Sequence, residues 1–331
     1  MDYGKLVARS FEITRKYRAL WLFGVLLALF GGGGGFNPAN FSNFGGSSGR
    51  GSSGGAGGNL PPVPAWVYQS IGVIIIALLC FALVWIVLSI VLRFLSRGAL
   101  IGSVQELEAN GTTPMVGRGF GIGGSRFWQL LGIGLTINIP LFILSLALFL
   151  IAGLPALATV LPMIAAGRPS GQIAGAFAAG LVGSFLLLCC VGVFLWIVGL
   201  IVKPFYEFFV RECVIQKRGV FDSIREGYRI VRSNVGNVAV LYILIIGVGI
   251  GYGILMLVVG LILIGIPVVL AFVVGVATHA ATPAIIVGLV IGIPMLLILL
   301  FINGLYRAFE STLWTEGYLA VIAPKTPGVA L

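Results

Sequence analysis

The stretch "FDSIREGYRIVRSNVGNVAVLYIL", residues 221–244, changes character halfway, and that change decides the fold. Around its first half Val220, Phe221, Ile224, Tyr228 and Val231 recur at helical spacing, while Asp222, Arg225, Glu226, Arg229 and Arg232 take the opposite face. After Arg232 no Asp, Glu, Lys or Arg follows until Arg307. An amphipathic helix therefore leads directly into apolar chain long enough to cross a bilayer, which needs about 20 residues at 1.5 Å each.

The same passage occurs twice more. "SFEITRKYRALWL" begins at Ser10 and "GFGIGGSRFWQLL" at Gly119, each ahead of an apolar run, as "GYRIVRSNVGNVAVL" does at Gly227. The shared core is a small residue, an aromatic, any residue and then Ile, with basic residues beside the apolar run. Self-similarity of this kind marks a repeated structural unit.

The whole chain agrees with a membrane class. Of 331 residues 59% are hydrophobic and 9% charged, where soluble domains carry about a quarter charged, and the mean hydropathy is +1.12. Six apolar segments can be read: 19–30, which is short, 71–92, 127–167, 176–202, 235–275 and 283–305. All are expected to be helices, because lipid satisfies no exposed backbone. The fold class is all-α, a polytopic membrane helix bundle of about six transmembrane helices. It is built as three repeats of an amphipathic lead-in helix plus a helix pair.

Runs 127–167 and 235–275 are long enough to be hairpins, but charge placement argues for single spans. With six spans, all of the 20 lysines and arginines except Arg50 and Arg168 fall on one side, as the positive-inside bias requires. Making the third run alone a hairpin would send Lys203, Arg211, Lys217, Arg218, Arg225, Arg229 and Arg232 outside. Both termini are expected to be cytoplasmic, with the excess length taken up by tilt, kinks or surface extensions. A signal peptide is disfavoured by the acidic Asp2 and Glu12 and by the lack of an A-x-A-like site after the first apolar stretch. The net charge of +10 is read as this same bias and not as a nucleic-acid surface.

A single integral membrane domain, 1–331, is expected, with repeats at 1–112, 113–218 and 219–320 and a short tail at 321–331. In the first repeat a disordered Gly/Ser-rich outer loop, 31–65, joins the helix pair and forms a flexible tether. In the other two, the Gly-Leu-Pro at 153–155 and the Gly-Ile-Pro at 265–267 are expected to break the helix at the outer joint.

Residues able to carry chemistry are few. His279 stands alone in an outer loop, and Cys80, Cys189, Cys190 and Cys213 lie in or beside apolar runs without metal-ligand spacing. No HExxH, GxSxG or phosphate-binding glycine loop is present, so no catalytic, cofactor or metal residue is assigned. The carboxylates all map to the inner face. Among them Glu207 and Glu310, at the ends of spans 4 and 6, either pair with a neighbouring Arg or line a vestibule. Asn138 before Pro140 either bonds to a neighbouring helix at a tolerated kink or marks a discontinuous helix with polar backbone at mid-membrane, and Gly247/Gly251, Gly249/Gly253 and Gly288/Gly292 permit close helix approach. The candidate contacts to anionic lipid or the interface are Arg93, Arg97, Arg211, Lys217, Arg218, Arg225, Arg229 and Arg232.

The three lead-in segments, above all the one from Phe221, resemble the membrane domain that some bacterial glycerophosphodiester phosphodiesterases carry beside their catalytic domain, and its stand-alone six-span relatives. The likeness implies a multi-pass protein of the bacterial cytoplasmic membrane. It carries over no catalytic residue, because one histidine cannot supply the phosphodiesterase metal site. The expected function is non-enzymatic, as a scaffold, lipid-interacting module or accessory subunit; the alternative is a transporter or channel for a small or lipidic solute. The expected partners are the bilayer and its anionic lipids, other proteins or a second copy of the chain, and no nucleic acid.

Overall fold

The computed structural model describes residues 2–31, 65–166 and 171–323. Most of the Gly/Ser-rich stretch, with Arg50, together with Arg168 and residues 324–331, lies outside them. The described elements are all helices: α1 (Tyr3–Lys16), α2 (Arg18–Phe30), α3 (Ala65–Asn110), α4 (Val116–Ser125), α5 (Phe127–Ala166), α6 (Gly171–Ile215), α7 (Val220–Ser233), α8 (Val235–Thr278) and α9 (Ala281–Ile322). Five of them, α3, α5, α6, α8 and α9, are long and apolar enough to cross a membrane, and α2 is a shorter apolar helix. The chain is an all-α, multi-pass membrane protein. A short helix precedes a pair of helices at α1–α3, α4–α6 and α7–α9.

The chain forms two compact units, one of residues Met1–Phe127 with Ile243–Leu331 and one of Trp128–Tyr242. In the first unit α2 packs between α9 and α3, α4 lies along α3, and α1 lies on α9. In the second, α7 lies along α6. The first unit's core gathers Ile13, Leu20, Phe23, Ala99, Leu100, Val104, Leu107 and Ala308.

α2 has only 13 residues, about 20 Å at 1.5 Å per residue. Close packing holds it. A Cβ on Gly24 would lie 2.2 Å from the Gly304 carbonyl oxygen, and one on Gly304 would lie 2.5 Å from Val25 Cγ2. The helices thus touch backbone to backbone. Phe23 meets Phe120 edge-on at 5.1 Å, and Trp21 meets Phe301 in the same way at 5.9 Å.

α8 and α9 form an antiparallel hairpin whose register is set by small residues. A Cβ on Gly288 would lie 3.3 Å from Ala271 Cβ, and one on Gly275 would lie 3.2 Å from Ala284 Cβ. Tyr252 stacks on Tyr306 with ring centroids 3.7 Å apart. Of the paired glycines, Gly249, Gly288 and Gly292 line this seam, whereas Gly247, Gly251 and Gly253 face open space. From Tyr252 to the turn at His279 the hairpin rises about 40 Å, close to the ~40–45 Å of a bilayer with its headgroups. Tyr306 and Arg307 therefore mark one interface, and the rest of α9 continues past it.

That continuation revises the expected spans. α3, α6 and α9 each run well beyond the apolar segments 71–92, 176–202 and 283–305, and within these extensions they are buried all round at 98–104, 208–215 and 312–318. Polar residues there, such as Ser103, Arg211, Glu212, Thr312 and Thr315, sit inside protein. Hydropathy sees only the lipid-facing part of such a helix.

The expected outer breaks are also revised. Pro155 and Pro267 lie inside α5 and α8. Proline removes one hydrogen bond, whereas breaking the helix in lipid would strand several backbone groups. The third repeat turns instead at His279, which takes a left-handed φ of 48°. The described part of run 127–167, residues 127–166, and run 235–275 are each a single helix rather than a hairpin. Asn138 donates to the Gly134 carbonyl of its own helix at 2.8 Å.

Candidate functional site

The repeated lead-in motif shows what its residues are for. Its small residue, Ser10, Gly119 or Gly227, is buried in each case. A Cβ on Gly119 would lie 2.6 Å from the Phe23 ring, and one on Gly227 would lie 2.6 Å from the Phe209 ring. The aromatic that follows lies beside the contact: Phe11 meets Phe309 at 6.4 Å, and Tyr228 stacks on Phe205 at 6.0 Å.

This revises the expected apolar faces. On α7 the buried stripe is Ser223, Gly227 and Val231, and on α1 it is Ser10, Ile13 and Thr14. Phe221 is 78% exposed and Tyr228 49% exposed. α7 therefore has three faces, with small residues toward protein, aromatics outward and charges beyond them; Phe11 of α1 is likewise turned outward, whereas Phe120 of α4 packs inward against Phe23. Two-face periodicity groups Phe221 and Tyr228 with Val231, of which only Val231 is buried.

On α7 the three faces form the clearest candidate site. Gly219 opens the helix, and Asp222 in its first turn complements the helix dipole. The turn before it is tight: Lys217 has φ 56°. Arg218 reaches Glu212 at the buried end of α6 at 3.2 Å and Glu226 on α7 at 3.6 Å, tying turn to helix. Arg229 also pairs with Glu226. Arg218, Asp222, Arg225, Glu226 and Arg229 line an open cleft of about 430 Å³.

Arg225 and Arg232 are exposed, and no ion pair binds either of them among the described residues. The three- or four-residue spacing on α7 pairs Glu226 with Arg229 but forms no bridge between Asp222 and Arg225 among the described residues. Seven residues separate Phe221 from Tyr228 and likewise Arg225 from Arg232. On a helix, two such pairs form adjacent stripes. Exposed aromatics therefore run beside unpaired guanidinium groups, which is the layout favoured where hydrocarbon meets headgroup.

The other candidate contacts are differently placed. Arg211 is buried and donates to both the backbone carbonyl and the carboxylate of Glu207, so it stabilises α6 internally and is withdrawn from the lipid-facing set. Arg93 and Arg97 are half-buried on α3, and Lys217 is exposed at the turn. Glu310 pairs with Arg307 at 3.2 Å. Glu207 and Glu310 thus meet neighbouring arginines. Cys80, Cys189 and Cys190 are exposed on their helices and Cys213 is buried.

Sequence reasoning did not single out a second cluster, in the first unit. Arg9 of α1 donates to Glu108 of α3 through Nε at 3.2 Å and Nη2 at 3.0 Å, both to the same oxygen. Glu12 lies 3.7 Å from the same guanidinium. Glu316 of α9 feels both Glu108 and Arg9, is 8% exposed, and has an Oε1 atom with no hydrogen-bond partner. It lies about three turns beyond the Gly304 contact, past the interface marked by Arg307. Burial first, then the Glu108 charge, raises its pKa to about 7, against the opposing pull of Arg9.

No curated protein and no solved structure matches the chain. Residues 123–312, more than half of the sequence, match the family of unknown function DUF7544, and the chain belongs to that family.

Proposed function

We propose that the protein is a non-enzymatic membrane scaffold whose inner-face lead-in helices engage anionic lipid headgroups. The carrying observation is the paired stripe on α7, where exposed Phe221 and Tyr228 run beside Arg225 and Arg232. The aromatics suit the acyl boundary and the arginines suit phosphate. A scaffold is preferred to a solute path because the α8–α9 seam is filled by glycine, alanine and stacked tyrosine. The helix order, three times a short helix before a pair, supports kinship with the membrane domain of bacterial glycerophosphodiester phosphodiesterases. On that basis the protein lies in a bacterial cytoplasmic membrane with both termini inside.

Each basic residue near an anionic surface contributes about 1 kcal/mol. Replacing Arg225 and Arg232 by Gln is therefore expected to weaken the preference for acidic lipid by roughly 30-fold. The test is the acidic-lipid content of protein purified in mild detergent, read by native mass spectrometry. An unchanged lipid content in the double variant would overturn the proposal.

A further inference from the structure

We propose that α1 is a proton-sensitive latch, held on α9 while Glu316 is neutral and loosened when Glu316 ionises. Three elements meet at this carboxyl. α1 and α3 both pack on α9, the charges of Arg9 on α1 and Glu108 on α3 both act on Glu316, and burial removes it from water. The charges on Glu316's own helix, Arg307 and Glu310, pair with each other. α2, which also packs on α9, carries only Arg18, which is exposed. One guanidinium therefore serves three carboxylates, Glu108, Glu12 and Glu316, and both of its hydrogen bonds go to Glu108.

A neutral Glu316 is compatible with this arrangement. An ionised one is a buried anion beside another anion, with an oxygen that no donor reaches. It can regain water if α1 lifts. α1 is suited to lift because it joins α2 through a single non-helical residue, Tyr17, with φ −105° and ψ 97°. Its docked face also holds the buried Ser10 hydroxyl, which has no partner. Phe11 against Phe309 and the bond from Trp21 Nε1 to the Thr14 carbonyl, 2.6 Å, set the docked position.

The pH window follows from linkage. The docked carboxyl titrates at about 7, against an ordinary value of 4.5. Docking is therefore strongest below the ordinary value, weakens as pH rises toward 7, and keeps weakening only slightly above it before levelling off. Between pH 6 and pH 8 the docking constant is expected to fall about tenfold.

The test is amide hydrogen exchange of residues 3–16 in nanodiscs across that range, corrected for the intrinsic rate. In the wild type, protection should fall about tenfold, and Glu316→Gln should remove the pH dependence. A wild type with constant protection, or a Glu316→Gln protein that keeps the dependence, would overturn the proposal. Glu108→Gln is a second measure that does not rely on the first variant folding. It frees Arg9 for Glu316, so the transition should move to lower pH, and an unmoved transition would also refute the latch.

Discussion

Replacing Gly24 by Ala probes what holds the short helix α2 in place. The new methyl would lie 2.2 Å from the Gly304 carbonyl oxygen and 2.9 Å from Ala308 Cβ. The nearest obstacle is backbone, which cannot rotate aside, so α2 and α9 must separate by about 1 Å to reach ordinary contact. A gap of that size forfeits a quarter to a half of each affected dispersion contact, around a site where Leu20, Phe23 and Ala308 are fully buried. Overpacking typically costs about 1–3 kcal/mol, and a backbone clash belongs near the upper end. Against this, Ala gains about 1 kcal/mol of helix propensity over Gly, leaving a net loss of about 2 kcal/mol. Gly251→Ala supplies the control, since its methyl meets nothing within 4 Å and the propensity gain should survive. Reversible SDS unfolding in mixed micelles, followed by circular dichroism, should separate the two variants by about 3 kcal/mol. If both unfold at the same SDS fraction, α2 is not held by its contact with α9 and the packing argument fails.

Other expectations follow from the same structure. Arg211→Ala removes the buried guanidinium that Glu207 pairs with and should cost about 3–5 kcal/mol, while Arg211→Met with Glu207→Leu should unfold nearer to wild type; both are read in the same SDS titration. Gly227→Val forces a side chain into the Phe209 ring, which a Cβ alone would approach to 2.6 Å. It should loosen α7 from α6, raising amide exchange across 220–233 while leaving 235–278 unchanged. A cysteine at position 217 should react with a membrane-impermeant thiol reagent only from the inner face, and labelling from outside intact cells would overturn the orientation.

The long helices were legible in the sequence because a bilayer imposes one requirement on every residue facing it. Freedom from charge over 235–306 is unambiguous, and α8 and α9 lie within or across it. Their extent was not legible. Residues 98–104, 208–215 and 312–318 are surrounded by protein, where Ser, Thr and paired charges are tolerated, and hydropathy cannot distinguish that setting from an aqueous loop. The Gly-Pro pairs misled for a related reason: proline breaks helices in water, where the freed groups find solvent, and is kept within them in lipid. At the candidate site the arginines of α7 could be named from sequence. Which were free and which engaged depended on Glu226 choosing Arg218 and Arg229 over its other neighbours. Glu316 looked like any inner-face carboxylate because the residues that shape it, Arg9 and Glu108, are distant in the chain.

The crossing of α2 and α9 also bears on how such a chain can change over time. Along the outer hairpin, any exchange among Leu, Ile, Val and Phe keeps the surface suited to lipid, so drift there is nearly free. At Gly24 and Gly304 no side chain fits, and at Gly119 and Gly227 one fits only if an aromatic ring moves. A distant relative should therefore be recognisable by four small residues at these crossing points, while the apolar majority of its sequence carries little trace of descent.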